Sequence, residues 1–161
     1  MTVTFDVLGI PAPQGSKSAF VRGGRAVVVE GTSKTGRAKV TAWRDAVAEA
    51  ASGAATHQRF DEPVSLTIRF RMPAVASDPH RVLHAVRPDL DKLIRSTLDG
   101  LVMGSLIADD AQVWHLVASK SYVHDDETPG AEFCVEGWGT AEAVRRQDRK
   151  DKARRAKRAA A

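Results

Sequence analysis

The chain has 161 residues, of which 43% are hydrophobic and 27% are charged, a balance typical of one globular domain. It contains no apolar run near the ~20 residues that a membrane-spanning helix needs, which argues against an integral membrane protein. Its one cysteine, Cys134, excludes an intrachain disulfide and a cysteine-cluster zinc site, and it indicates a reducing, cytoplasmic compartment.

The formal net charge of +4 conceals a strong segregation of charge along the chain. Residues 11–44 carry a net charge of +6 and residues 144–161 carry +7, whereas residues 45–143 carry −8. Basic segments favour a polyanionic partner, because contacts to phosphate release counterions. An acidic middle would repel that polyanion unless cations neutralise it. The charge pattern therefore indicates a metal-dependent enzyme that acts on nucleic acid.

The spacing of apolar residues predicts six strands and two helices along the chain. In chain order they are a strand over 2–9, a hairpin of 19–22 and 25–30, a helix over 38–52, a strand over 63–72, a helix over 90–102, and strands over 112–123 and 131–136. Gly23-Gly24 suits the hairpin turn. Trp43 lies on the apolar stripe of the first helix, and Gly53 is expected to cap that helix. This order predicts an α+β fold, with a small mixed β-sheet and two main helices packed on it.

The segment after this domain differs in composition. Residues 144–161 contain alanine, arginine and lysine but no large apolar side chain after Val144, so they cannot bury a face. We therefore predict one domain over residues 1–143 and a basic, flexible or helical tail over 144–161.

Four aspartates in two short segments form the candidate site. Asp89 and Asp91 open the second helix, and Asp109 and Asp110 directly precede a strand. Each pair also has a purely structural interpretation, because aspartate is preferred at helix starts and in turns, and Asp91 is placed to pair with Arg95. If the two segments meet, the carboxylates need a cation, and oxygen-only ligands suit Mg²⁺, with Mn²⁺ as a possible substitute. Whether the segments meet is left open by the sequence.

Basic side chains supply candidate contacts to phosphate. Lys92 and Arg95 lie on the same helix as Asp91, where either is placed to offset negative charge on a phosphate, and solvated positions on the helix face are the alternative. The candidate contacts to the DNA backbone, with solvated loop charges as the alternative, are Lys17, Arg22, Arg25, Lys34, Arg37 and Lys39.

Other motifs point away from further cofactors. The segment 15–18 lacks the spacing of a P-loop, so we expect no nucleotide cofactor. His80 and His84 have the spacing of zinc ligands on a helix, but the loop composition around Pro79 argues against a helix there. Aromatic residues make up only 6% of the chain, which gives no support for a surface that stacks single-stranded bases.

Three segments of the acidic middle together resemble the RusA family of Holliday junction resolvases, which bacteria and phages encode. They are 87–93 (RPDLDKL), 98–101 (LDGL) and 109–113 (DDAQV), within a resemblance that spans roughly residues 3–136. The resemblance implies a homodimeric, Mg²⁺-dependent endodeoxyribonuclease that makes paired symmetric nicks in four-way DNA junctions during recombination and repair. It also implies that Asp89, Asp91 and Asp110 are the essential aspartates, with Asp109 supporting them.

The chain departs from the family pattern at one position of the site. Four residues after Asp91 the family has a lysine, and this chain has Arg95, with Lys92 nearby. An arginine keeps the charge and binds phosphate through two donors, but it does not release a proton.

Two alternatives to a resolvase remain at this stage. One is a non-enzymatic, basic DNA-binding protein whose acids are caps and turns, and the other is a nuclease for other branched DNA.

Overall fold

The computed structural model describes residues 1–15, 17–30, 33–55, 59–78, 81–124 and 126–139, together with Arg145, Arg149, Lys150 and Lys152. Its strands and helices are β1 (Thr2–Leu8), β2 (Lys17–Arg22), β3 (Arg25–Glu30), α1 (Lys34–Ala55), β4 (Val64–Met72), α2 (Leu90–Met103), β5 (Val113–Tyr122) and β6 (Gly130–Gly137). A mixed four-stranded sheet, a separate hairpin of β2 and β3, and two helices confirm the predicted α+β fold. Neither helix has the length and hydropathy of a membrane span within these described residues.

Helix α1 is longer than predicted at both ends. The loop expected before residue 38 is wrong from Lys34 onward, because Ser33 caps the helix: its Oγ accepts a hydrogen bond from the backbone N–H of Gly36 at 3.1 Å. The C-terminal cap expected at Gly53 is also wrong, because the helix continues through that glycine to Ala55. By contrast, α2 ends at Gly104, which is its C-terminal cap.

The four-stranded sheet has the order β1-β6-β4-β5, and only β4 and β5 run parallel. Both helices pack on one face of this sheet, where Trp43 of α1 is buried as predicted. The Trp43 Nε1–H donates a hydrogen bond to Thr97 Oγ1 of α2 at 3.0 Å. The two helices approach closely at Gly100, where a Cβ atom would lie 2.7 Å from Cβ of Val47. This helix pair and the face of β4 beneath it form the core.

The opposite face of the sheet carries ion pairs. Arg71 of β4 is only 7% exposed, although the alternation of β4 predicts that it points away from the core. Its guanidinium contacts Asp6 of β1 at 2.7 Å and Glu132 of β6 at 2.9 Å, so the three strands are joined by charge. Arg69 also pairs with Glu132. Cys134 lies on this face and is half-buried, because this face has fewer covering side chains.

Candidate active site

The first acid pair lies at the start of α2, with both carboxylates exposed. Asp89 occupies the N-cap position, but its side chain makes no capping hydrogen bond. Its Oδ2 instead lies 3.1 Å from Nζ of Lys92. Asp91 follows in the first turn, and among the described residues its carboxylate has no ion pair, so the alternative pairing with Arg95 is not formed. Asp91 and Arg95 therefore both present free charge to solvent.

Three contacts fix this end of α2 to the sheet and to the N-terminal loop. The Lys120 Nζ of β5 donates to the carbonyl oxygens of Val86 and Pro88, each at 2.6 Å. The Ser96 Oγ–H donates to the carbonyl oxygen of Ala12 at 2.6 Å. Ser96 is fully buried, so this hydrogen bond is shielded from water. The first acid pair is thus held on a rigid support.

A cleft of about 510 Å³ opens beside Asp89. Apolar walls come from the N-terminal prolines and Met72, and the charged side chains at its rim are Lys39, Arg87 and Lys92 together with Asp89. Three cations beside one carboxylate suit the backbone of a nucleic acid, because each phosphate carries a negative charge. Arg87 was assigned no role from the sequence, although its place directly before Pro88-Asp89 puts it at this rim.

The second acid pair divides into one structural and one free carboxylate. Asp109 Oδ1 accepts a hydrogen bond from the backbone N–H of Ala111 at 2.8 Å, and the Gln112 side chain accepts one from the backbone N–H of Asp109. This capping box opens the short 3₁₀ helix Asp110–Gln112, so the turn interpretation is correct for Asp109. The Asp110 carboxylate is exposed, and no contact to it is found among the described residues.

The two acid pairs lie at opposite ends of β5 within one chain. Asp110 precedes Val113, where the strand begins, whereas the loop before Asp89 contacts Lys120 near its end. The seven-residue step from Val113 to Lys120 spans about 23 Å. Because β5 is parallel to β4, α2 must run back against both strands, and its start is carried away from the start of β5. Within the described part of the chain, no three acidic, histidine or cysteine side chains are grouped to hold a metal.

The predicted DNA-contacting side chains lie on two elements. Arg22 and Arg25 pair across the tip of the hairpin and are exposed, and Gly23 and Gly24 between them have φ angles of +60° and +74°. Exposed basic residues also line the first turns of α1, namely Lys34, Arg37 and Lys39. The side chain of Lys17 lies outside the described residues. Of these candidates, Lys39 reaches the cleft beside Asp89.

The sequence model of the family described as endodeoxyribonuclease RusA matches residues 19–136. No curated protein matches the chain. The matched span contains both acid pairs, both helices and the strand that separates the pairs, and it covers most of the 161 residues. A non-enzymatic role is therefore not the one that the family indicates. The chain belongs to the RusA family of endodeoxyribonucleases, hydrolases that cut DNA at Holliday junctions.

Proposed function

We propose that this protein is a Mg²⁺-dependent resolvase that works as a homodimer and makes paired symmetric nicks in four-way junctions during recombination and repair in the cytoplasm. Family membership supports the cleavage of junction DNA. The other parts of the proposal, the metal site and the homodimer, rest on the placement of two free carboxylates, those of Asp91 and Asp110, at opposite ends of β5. A site that needs both must take them from two copies of the chain.

The edge of β5 is suited to bring two copies together. Among the described strands it ends the sheet, and Leu116 and Val117 on it are 37% and 49% exposed. A free strand edge with apolar side chains pairs readily with another chain. Two copies of β5 paired antiparallel about a two-fold axis place the start of each strand beside the end of the other. The partner subunit's Asp110 then lies next to Asp89 and Asp91.

The proposed donor set fits a hard divalent cation. Asp89 and Asp91 from one subunit, with Asp110 of the partner subunit, offer carboxylate oxygens at an exposed position, as Mg²⁺ requires and Mn²⁺ accepts. A bound ion supplies Lewis-acid polarisation of the phosphodiester and stabilises the leaving oxygen. The capping box formed by Asp109 fixes the backbone that carries Asp110. Asp109 therefore acts as a positioning residue.

The cations near α2 have separate roles in the proposal. Lys92 holds the Asp89 carboxylate through the ion pair at 3.1 Å, which sets the direction of that ligand. Arg95 is exposed and unpaired among the described residues, so its guanidinium is available to bind the phosphate through two donors. Since a guanidinium stays protonated, Arg95 stabilises charge and transfers no proton. Lys39 and Arg87 at the cleft contact the neighbouring backbone.

A subunit-mixing experiment tests both the acids and the dimer. Asp91→Asn and Asp110→Asn should each abolish Mg²⁺-dependent nicking of a four-way junction while leaving junction binding intact. When the two variants are mixed, each heterodimer regains one complete site, so about a quarter of the wild-type sites return. The regained activity should nick one strand per junction rather than two.

The control is Asp78→Asn, which removes an exposed acid from the loop between β4 and α2 and should nick normally. If both acid variants are inactive and their mixture stays inactive, the two-subunit site is wrong. If either single variant nicks at the wild-type rate, the assignment of that acid is wrong. A panel of four-way, three-way and flap substrates separates the resolvase from a nuclease for other branched DNA.

A further inference from the structure

Two of the three tryptophans form an exposed pair at one end of the sheet. Trp114 and Trp138 are each 38% exposed, whereas Trp43 is buried at 2%. The two exposed indole rings meet edge to face, with centroids 4.9 Å apart and an interplanar angle of 82°. Each side chain therefore keeps more than a third of its surface open to solvent, and two such aromatic side chains in contact form a candidate binding surface.

A β-bulge presents Trp114 at this position. Val64 pairs with Val113 but Ser65 pairs with His115, so Trp114 is an extra residue in β5. The imidazole of His115 lies 5.4 Å from the Trp114 ring and is held by the Ser65 hydroxyl at 3.0 Å. Trp114 therefore lies near the start of β5, four residues after Asp110 in the chain.

Trp138 reaches this end of the sheet from β6, which lies on the opposite side of β4 from β5. It directly follows β6, and its backbone N–H donates to the carbonyl oxygen of Pro63 at 2.7 Å. This hydrogen bond fixes Trp138 beside the start of β4, which pairs with the start of β5. Trp138 is thus placed by a backbone hydrogen bond, and Trp114 by the register of β5 against β4.

One face of Trp114 already holds a flat cation. The Arg145 guanidinium lies over this ring, 4.2 Å from its centroid. Arg145 belongs to the terminal segment of net charge +7. The contact shows that the ring face accepts a planar group. It also places positive charge within reach of any phosphate that approaches the pair.

We propose that the Trp114–Trp138 pair stacks an unpaired nucleobase of the DNA near the branch point, an inference that rests on the proposed function. A nucleobase has the flat face that the exposed indoles accept, and its phosphate complements the charge of Arg145. On binding, the guanidinium leaves the Trp114 ring for that phosphate, and the base takes its place. Stacking of this kind tolerates every base, because each has a π face.

This surface was not predicted from the sequence, because the overall aromatic content of the chain is low. With 6% aromatic residues, the chain gave no support for base stacking. The pair joins residues 24 positions apart, and only the antiparallel pairing of β6 with β4 and the parallel pairing of β4 with β5 bring them together.

The test uses a four-way junction with 2-aminopurine at the branch point, in buffer without divalent metal. Trp138→Ala is the main variant, because Trp138 lies outside β5 and its change leaves the proposed dimer edge intact. We expect binding to the junction about tenfold weaker, a loss of the quenching that indole stacking causes, and unchanged binding to linear duplex. Trp138→Phe should restore most of the affinity, because it restores an aromatic face.

Leu8→Ala is the matched control, since Leu8 is 62% exposed at the opposite end of the sheet. The inference is overturned if Trp138→Ala binds and quenches like Leu8→Ala, or if Trp138→Phe is no better than Trp138→Ala. The proposed function fails separately, through normal nicking by Asp91→Asn. An Asp91→Asn protein that no longer nicks but still quenches 2-aminopurine supports both proposals.

Discussion

Asp109 and Asp110 are neighbours in the chain, yet their carboxylates have different environments. Asp109 is engaged by the backbone N–H of Ala111, whereas Asp110 faces solvent with no contact among the described residues. Asp89 and Asp91 divide in a similar way, since among the described residues Lys92 pairs with Asp89 and not with Asp91. In each pair, one acid is fixed by the protein and the other remains available. Such a division suits the proposed site, in which Asp109 orients the backbone, Lys92 orients the Asp89 ligand, and the carboxylates of Asp91 and Asp110 are free to bind the cation.

At the same scale, His84 should make the fold sensitive to mild acid. It is 7% exposed beside the Tyr122 ring, and burial, with the nearby charge of Lys120, lowers the pKa of its imidazole. Arg81, which lies over the same tyrosine ring, adds to that lowering. The unfolded chain therefore binds the proton more tightly than the folded protein, and stability falls as the pH drops below the ordinary histidine pKa of about 6.5.

The measurement is the melting temperature between pH 7.5 and about 5. The wild-type value should fall across this range, and His84→Phe, which keeps a neutral ring, should flatten the curve. Hydrogen bonds from Arg69 lower the pKa of Glu132 and of Glu127, so the stability from those acids is lost only below about 4.5, outside this window. An identical slope in the wild type and in His84→Phe would contradict the prediction.

At the scale of elements, the contact between α1 and α2 depends on one glycine. A methyl group at Gly100 would lie 2.7 Å from Cβ of Val47 and 3.0 Å from the carbonyl oxygen of Arg44. We expect Gly100→Ala to lower the free energy of unfolding by about 1–3 kcal/mol, because the two helices must move apart. Urea denaturation measures this change.

The chain offers a matched control for that substitution within α1. Gly53 lies in the helix, is exposed, and has nothing within 4 Å of an added Cβ. Gly53→Ala should therefore raise the free energy of unfolding by about 0.5–1 kcal/mol, through helix propensity alone. Equal effects of the two alanines would show that the helices are not in close contact at Gly100.

The elements also show where prediction from the sequence succeeds. Alternation placed β4 within a residue of its true bounds, and helical spacing did the same for α2, because both patterns are local. The burial of Arg71 was not predictable, since it depends on Asp6 and Glu132 from distant strands. The direction of β5 relative to β4 is likewise a property of the whole sheet. The four acids were proposed from the sequence, but their distribution over two ends of β5 required the structure.

At the scale of the whole molecule, the separation of charge should appear in the salt dependence of DNA binding. Arg149, Lys150 and Lys152 lie in the basic terminal segment, and all three are exposed. If they contact phosphates, each contact adds about 0.9 to the slope of log affinity against log salt. Replacing all three by glutamine should make the slope shallower for junction and duplex alike. Fluorescence anisotropy over a range of salt concentrations measures it.

The control is Arg59→Gln, which removes an exposed charge already paired with Asp61 at 3.3 Å. Its slope should equal that of the wild type. A triple variant with an unchanged slope would show that the terminal segment does not touch the DNA backbone.

Because β5 separates the two acid pairs, the activity under the proposed assembly depends on the concentration of the protein in the cell. Under the proposed assembly, a single newly made chain carries two incomplete active sites and therefore does not cut chromosomal DNA. Damage by an unassembled copy is avoided by distance alone, without an inhibitor. At low concentration the nicking rate then rises with the square of the protein concentration, and the specific activity falls on dilution.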